Sequence, residues 1–260
     1  MSLFAKIFGP FFFLYWLIII LPITFSCAIL VILLTLFLPQ KWASKLRVIA
    51  RFWGWIGVRL TFSGVTVLDA EKAIHEPAVV ISNHQSPFDI FAALGFYPVD
   101  FVFLSKKEVF KVPLVGMAMH KIGYLEVDRA NPRAAANSMK NVIRKLKENE
   151  RVLIYPEGTR SKNAAQILPF KPGALVAAKQ GELPILPIVV YGTQQIRSMT
   201  NPTILWPSRI VIQILDPVRS NNPVHPAHDT PNMSDQAKAE ALREMVQNAY
   251  NELAKTYGKV

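Results

Sequence analysis

The sequence predicts an α/β domain, a mixed central sheet flanked by helices, carried behind an N-terminal apolar helical membrane anchor. Three observations predict it. Residues 11–38 contain no charged side chain. Beyond about residue 62, short and nearly continuous apolar runs recur, as in strands covered on both faces. Between those runs lie stretches of helical periodicity, and such alternation places helices around a sheet. The implied division is an anchor at residues 1–60 and a globular domain at residues 61–260, near the usual domain size of about 100–200 residues.

The uncharged stretch would measure about 42 Å as a helix, against a hydrocarbon core of about 30 Å. It is either one tilted helix or two shorter pieces breaking at Pro22, because proline removes an i→i−4 hydrogen bond. A cleaved signal peptide fits poorly, since its apolar core runs only about 7–15 residues before a small-residue cleavage site. After Pro39, Trp42, Leu46, Ile49, Trp53, Ile56 and Leu60 recur at spacings of 4, 3, 4, 3 and 4, with Lys41, Lys45, Arg47, Arg51 and Arg59 beside them. That stripe suits an amphipathic helix packed on the domain. It also suits one in the lipid interface, with tryptophans at headgroup level and cations on anionic lipid. Lys6 alone precedes the apolar stretch and five basic residues follow it, so the positive-inside rule places residue 40 onward in the cytoplasm.

In chain order the expected strands are Ala78–Ser82, Asp100–Ser105, Ile122–Val127, Val152–Tyr155, Ile185–Tyr191 and Arg209–Leu215. Asn131-Pro132 starts the clearest helix, an N-cap followed by proline at the first helical position, with Met139, Val142, Ile143 and Leu146 on its buried face. The segment 219–232 reads as a proline- and asparagine-rich surface loop. Ser234 to Tyr257 reads as a terminal helix covering the sheet, with Leu242, Met245, Val246, Ala249 and Leu253 on one side.

The 29 Lys and Arg against 18 Asp and Glu leave a net charge of +11. An anionic partner follows: nucleic acid, anionic lipid or a phosphorylated metabolite. No nucleic-acid recognition motif is present, and the apolar anchor argues against that class. Cys27 is the single cysteine, which excludes an intramolecular disulfide. Its place in the apolar stretch argues against a nucleophile. No GxSxG, GxxxxGK[ST] or HExxH motif occurs. His225-Pro226-Ala227-His228-Asp229 reads as a solvated loop rather than a metal site.

Two constellations follow apolar strands, where ligands bind open α/β sheets. The first is Ser82-Asn83-His84-Gln85-Ser86-Pro87-Phe88-Asp89. His84 is the one histidine with an acidic residue five positions on. An imidazole suits general-base work near neutrality, and a carboxylate on its second nitrogen fixes the tautomer. Ser86 to Asp89 is equally a capping box, and the two roles are compatible. The second is Tyr155-Pro156-Glu157-Gly158-Thr159-Arg160-Ser161. Arg160 offers a fork suited to phosphate, Gly158 admits a close backbone approach, and Glu157 could accept from a hydroxyl. Alone, it also reads as a strand-to-loop turn. Ser105-Lys106-Lys107 and Val127-Asp128-Arg129 place cations at comparable strand ends.

In this order the residues resemble the glycerolipid acyltransferase family over about residues 60–218. The block NHxSxxD is matched by Asn83, His84, Ser86 and Asp89, an Asp-Arg block by Asp128-Arg129, and FPEGTRS by YPEGTRS with Tyr155 in place of Phe. An apolar proline-containing strand is matched by Leu183 to Val189. Lys106-Lys107-Glu108 and Pro169 to Ala174 also look like the family, with Pro172 a departure from its commoner polar residue. The resemblance implies transfer of a fatty acyl group from an acyl thioester to the sn-2 hydroxyl of 1-acyl-sn-glycerol 3-phosphate, giving phosphatidic acid. His84 would be the base and Asp89 its partner. Arg160, with Lys106 and Arg129, would hold the acceptor's phosphate, and Glu157 would position its glycerol. Asn83, Gly158 and Thr159 would complete the substrate site, and backbone N–H groups of the helix after Pro87 would stabilise the oxyanion. No metal or cofactor is implied beyond acyl-CoA or an acyl carrier protein thioester as co-substrate. The implied place is a membrane, as in the bacterial inner membrane with the catalytic domain cytoplasmic, with membrane lipid and lysophosphatidic acid as partners. Another lysophospholipid or a lyso-aminolipid as acceptor, or a non-catalytic lipid-binding role, stay open.

Overall fold

The computed structural model describes residues 3–128, 130–163, 165–219 and 234–258. Arg129, the histidines of the 225–229 segment and most of the expected surface loop lie outside the described residues. The fold is a seven-stranded mixed sheet with helices on both faces. In chain order the strands are β1 (Gly64–Leu68), β2 (Val79–Ser82), β3 (Val102–Lys106), β4 (Leu125–Val127), β5 (Val152–Ile154), β6 (Ile185–Tyr191) and β7 (Arg209–Ile214). The helices are α1 (Leu3–Phe37), α2 (Arg47–Arg59), α3 (Phe88–Phe96), α4 (Lys107–Phe110), α5 (Val115–Lys121), α6 (Pro132–Lys147), α7 (Gly173–Gly181), α8 (Thr193–Ile196) and α9 (Asp235–Tyr257).

Strand order is β1-β7-β6-β2-β5-β3-β4. β6, β2, β5, β3 and β4 run parallel, while β7 is antiparallel to β6 and carries β1 parallel to itself. The apolar runs of β2, β5 and β6 are buried throughout, as expected of strands sandwiched between helices. Because these three are parallel neighbours, their carboxyl ends open at one edge of the sheet. Everything chemical in the chain follows from that alignment.

The structure adds a strand and shortens another. β1 is a half-buried edge strand, so its sequence lacks the continuous apolar run by which the others are recognised. The expected strand from Ile122 begins only at Leu125, because Ile122 caps α5 and Gly123 closes its last turn on His120 O. α6 starts as expected: the Asn131 side chain accepts from the N–H groups of Arg133 and Ala134. Ser234 likewise caps α9.

α1 is continuous through Pro10 and Pro22, so the alternative of two pieces parting at Pro22 does not occur. It is long and apolar enough to cross a membrane. Its inner side meets the domain along most of its length. Leu205 donates to Gly9 O, the Trp16 indole donates to Gly57 O at 2.8 Å, and the Trp53 indole donates to Thr24 Oγ1 at 2.7 Å. Ala28 and Val31 are buried. From residue 9 to residue 31 the covered side spans about 33 Å at 1.5 Å per residue. The outer side exposes Phe4, Phe11, Ile18 and Leu36, continued by Val48, Phe52 and Trp55 of α2 and by Phe62.

α2 packs tightly on α3. A Cβ on Gly54 would lie 2.6 Å from Gly95 N, so this crossing depends on the missing side chain. The helix begins at Arg47, with Gln40–Trp42 a separate 3₁₀ turn, which interrupts the expected stripe. Two of the five cations expected at the lipid surface turn inward instead. Arg47 is buried and pairs with Asp100 at 2.7 Å and with Glu150. Burial acts to lower its pKa, but the Glu150 hydrogen bond and the two carboxylates outweigh it and hold it above the ordinary value. Arg51 donates to the carbonyls of Tyr97 and Val99. Both serve to fasten α2 to the loop between α3 and β3.

Candidate active site

The site forms where β2, β5 and β6 end. The first turn beyond β2 carries Asn83, whose amide donates to Val190 O at 2.9 Å and accepts from Val190 N at 2.8 Å. Asn83 is fully buried, with both functional atoms engaged on β6. It therefore clamps β6 to the turn after β2, a structural role beside the substrate contact expected of it.

His84 follows, almost buried, with Nδ1 2.9 Å from Asp89 Oδ2. The same Oδ2 accepts the N–H groups of Gln85 at 2.6 Å and Ser86 at 2.8 Å. Asp89 Oδ1 accepts the Thr193 hydroxyl at 2.5 Å. A carboxylate held by four donors is fixed in place, and it assigns the proton of a neutral His84 to Nδ1. Nε2 is then the basic nitrogen. The His84 ring also stacks on Tyr155, centroids 4.1 Å apart and planes at 14°.

The capping box and the dyad coexist. Ser86 Oγ accepts from Phe88 N while Asp89 reaches back to Ser86 N, closing the box reciprocally. One consequence is a correction. The N–H groups expected to stabilise an oxyanion are occupied: those of Gln85 and Ser86 by Asp89, Phe88 by Ser86 Oγ, Asp89 by Ser86 O, and Ile90 by Pro87 O.

Glu157 lies beyond β5. Its Oε1 accepts His84 N at 2.5 Å and its Oε2 accepts Leu168 N at 2.8 Å, and the residue is only 3% exposed. Both oxygens serve the backbone, so the side chain acts as a strut beneath His84. Burial pushes its pKa up to about 8, against the opposing pull of the two backbone donors. Ser161 N donates to His84 O at 3.1 Å, so this loop grips the histidine from both sides of its peptide. Gly158 turns the chain with φ of +71°, a conformation L side chains rarely adopt. Thr159 is exposed and Arg160 half-buried at the rim.

Lys106 ends β3 at the same edge, exposed and 3.5 Å from Glu108. Lys107 pairs with Asp128 at 2.5 Å. Arg129 lies outside the described residues. The structure thus brings His84, Asp89, Glu157, Gly158 and Arg160 together, and adds Thr193 and Arg197, which sequence reasoning missed. Ser86 Oγ donates to Arg197 O at 2.8 Å. The one sequence signal for this pair is that they follow an apolar strand, as the two recognised constellations do. Among the described residues no group of three or more His, Cys, Asp and Glu side chains is placed to hold a metal ion.

A cavity of about 210 Å³ lies behind the site, between α1, α2, α3, β3 and α5, lined by Ala28, Trp53, Leu94, Phe103, Ala118 and Met119 among others. Phe103 packs edge-on against Tyr155, the ring that stacks on His84. The cavity therefore adjoins the histidine through two aromatic rings, Phe103 and Tyr155.

Residues 64–191 match the family model described as Acyltransferase. The chain is 42% identical to a 1-acyl-sn-glycerol-3-phosphate acyltransferase of Limnanthes douglasii over 117 residues, which is 45% of this chain and 41% of that protein. It is 37% identical over 146 residues to the protein of that name in Cocos nucifera, covering 56% and 47%. With the protein of that name in Helicobacter pylori it shares 29% identity over 172 residues, covering 66% and 68%. The chain spans less than half the length of the two plant relatives. The crystal structure of the 1-acyl-sn-glycerophosphate (LPA) acyltransferase PlsC of Thermotoga maritima superposes with a TM-score of 0.79, covering 96% of this chain and 97% of that one. At 24% identity that likeness is one of fold.

Proposed function

Because residues 64–191 match the acyltransferase family model, we propose that the chain is a member of that family and transfers a fatty acyl group from an acyl thioester to the sn-2 hydroxyl of 1-acyl-sn-glycerol 3-phosphate, giving phosphatidic acid. The observation that carries the reading is the His84–Asp89 contact, with every oxygen of the carboxylate fixed. His84 Nε2 takes the hydroxyl proton as the oxygen attacks the thioester carbonyl. The tetrahedral adduct then collapses, the C–S bond breaks, and the imidazolium returns its proton to the departing thiolate. Asp89 stabilises the imidazolium between these steps. Base catalysis of this kind contributes about 10²–10⁴-fold, and holding both substrates together supplies much of the remainder. The donor is acyl-CoA or acyl carrier protein, and the reaction uses no other cofactor.

Support for lipid substrates comes from the apolar surfaces. The exposed faces of α1 and α2 are contiguous in composition, and the domain covers the opposite side of α1 over about 33 Å. A helix so covered lies along the domain, which favours immersion in one leaflet over a perpendicular span. The site then meets substrates at the membrane surface. The apolar cavity beside Phe103 accepts the acyl chain of the bound lipid or thioester.

The test is a transfer assay with defined acyl thioesters and a panel of acceptors, comparing wild type with His84→Ala. Loss of transfer with vesicle binding retained is expected. Undiminished transfer by the variant would overturn the mechanism, and transfer only to phosphate-free acceptors would overturn the acceptor.

A further inference from the structure

The rim of the site holds two arginines that no carboxylate among the described residues balances. Arg160 follows β5, and its neighbour Ser161 is bonded to His84 O. Arg197 follows β6 and α8, and its own carbonyl accepts the Ser86 hydroxyl. Each is thus anchored, through one residue's backbone, to the loop that carries the histidine. Among the described residues neither has an ion-pair partner. The two acids of the site are committed elsewhere, Asp89 to four donors and Glu157 to two backbone N–H groups.

Arg197 is also built into position. Its Nε donates to Pro202 O at 2.6 Å, and its guanidinium lies 4.4 Å above the ring of Phe13 in α1. The backbone bond is made by Nε, while the two terminal nitrogens form the bidentate end of the fork. The group is half-buried, and burial first, then the positive charge of Arg160, lowers its pKa. Two guanidinium groups held within each other's field, partly dehydrated and without a carboxylate, repel one another. A dianion placed between them reverses the sign of that interaction.

We propose that Arg197, seated on Phe13 of the apolar helix, is a second cationic arm that holds the acceptor's phosphate together with Arg160, and so sets the preference for a phosphate-bearing acceptor. The inference rests on the acyltransferase reading above. It gives α1 a role in the site beyond anchoring, since the ring under Arg197 belongs to that helix. It also explains the Ser86 hydrogen bond: the residue two positions from the base is tied to the residue that holds the substrate's charged end, which fixes the distance between headgroup and histidine.

The experiment compares 1-acylglycerol 3-phosphate with 1-acylglycerol, the same lipid without phosphate, using the full chain in mixed micelles. Variants are Arg197→Ala, Arg197→Lys and Phe13→Leu, each first checked for an unchanged thermal unfolding midpoint. Loss of a charge-assisted contact predicts that Arg197→Ala raises KM for the phosphate-bearing acceptor about 10–100-fold. The loss on that acceptor should exceed the loss on 1-acylglycerol by about tenfold or more. Arg197→Lys, which keeps the charge without the fork, should fall between, and Phe13→Leu should raise the same KM by a smaller factor. If wild type prefers the phosphate-bearing acceptor and Arg197→Ala keeps that preference undiminished, this proposal fails alone. If wild type uses both acceptors equally, the acceptor reading fails first. Should Arg197→Ala not fold, Arg197→Lys decides: an unchanged KM overturns the proposal.

Discussion

Thr193 Oγ1 lies 2.5 Å from Asp89 Oδ1, so the carboxylate that orients His84 is held by a residue 104 positions away in sequence. The other oxygen, Oδ2, takes His84 Nδ1 and two backbone N–H groups from its own loop. Asp89 therefore cannot rotate without breaking bonds on both sides, and the imidazole inherits that rigidity. Replacing Thr193 by Val removes one buried donor of nearly equal shape. The expected result is a kcat lower by about tenfold, from a lost charge-assisted hydrogen bond, with acceptor KM unchanged and activity restored by Thr193→Ser. A KM effect without a kcat effect would assign Thr193 to substrate binding.

Asn83 should behave as a structural residue. Asn83→Ala leaves the N–H and C=O of Val190 unpaired in the sheet interior, at a cost of about 1–3 kcal/mol per group. Chemical denaturation should show that loss, while KM values of the remaining folded enzyme stay at wild-type levels. A large KM rise in a fully stable variant would return Asn83 to the substrate.

Glu157 makes stability depend on pH in an unusual direction. Its pKa is raised to about 8 in the folded chain, against about 4.3 for an unperturbed glutamate. Between those values the folded state holds a proton that the unfolded state has lost. Its contribution is therefore greatest at the acid end and declines as pH rises through the window, by up to about 1.4 kcal/mol per pH unit. Glu157→Gln abolishes this dependence. Thermal midpoints measured at pH 5 and pH 8 should fall more steeply with pH for wild type than for the variant, and parallel curves would refute the retained proton.

Arg47 fastens α2 to the sheet by its buried pairing with Asp100 and Glu150. Breaking a buried pair typically costs about 3–5 kcal/mol. Arg47→Met should lie at the low end, because Asp100 and Glu150 are 40% and 22% exposed and regain water. Denaturant midpoints provide the measurement, and no change would mean that apolar packing alone seats the helix.

Ala118 is buried on the wall of the apolar cavity. Ala118→Leu adds three carbons into that space, so the enzyme should shift its preference toward shorter acyl thioesters with kcat on the shortest preserved. Competition between two donors of different chain length measures it. An unchanged ratio would place the acyl chain elsewhere.

Much of this was legible in the chain itself. β6 could be bounded from its run of apolar residues because all seven positions are buried, and α6 could be started at Asn131 because the cap and proline are local signals. β1 escaped notice because half-buried edge strands need no apolar run. Arg47 and Arg51 read as lipid-facing cations because a helical stripe records spacing and not which neighbours receive each face. The carboxylates and carbonyls that claim them stand 46 to 103 positions away.

The same contrast governs the site. The sequence by itself determined an α/β fold behind an apolar helix, and the pairing of His84 with Asp89, since five residues at a strand-to-helix turn can close on each other by local geometry alone. Only the tertiary structure decided what surrounds that pair. Parallel β2, β5 and β6 bring three distant loops to one edge, and there Glu157 becomes a strut, Asn83 a clamp, Thr193 a second hold on Asp89, and Arg197 a neighbour of Arg160. Residue type fixes what a side chain can bond; strand order fixes which partner is within reach.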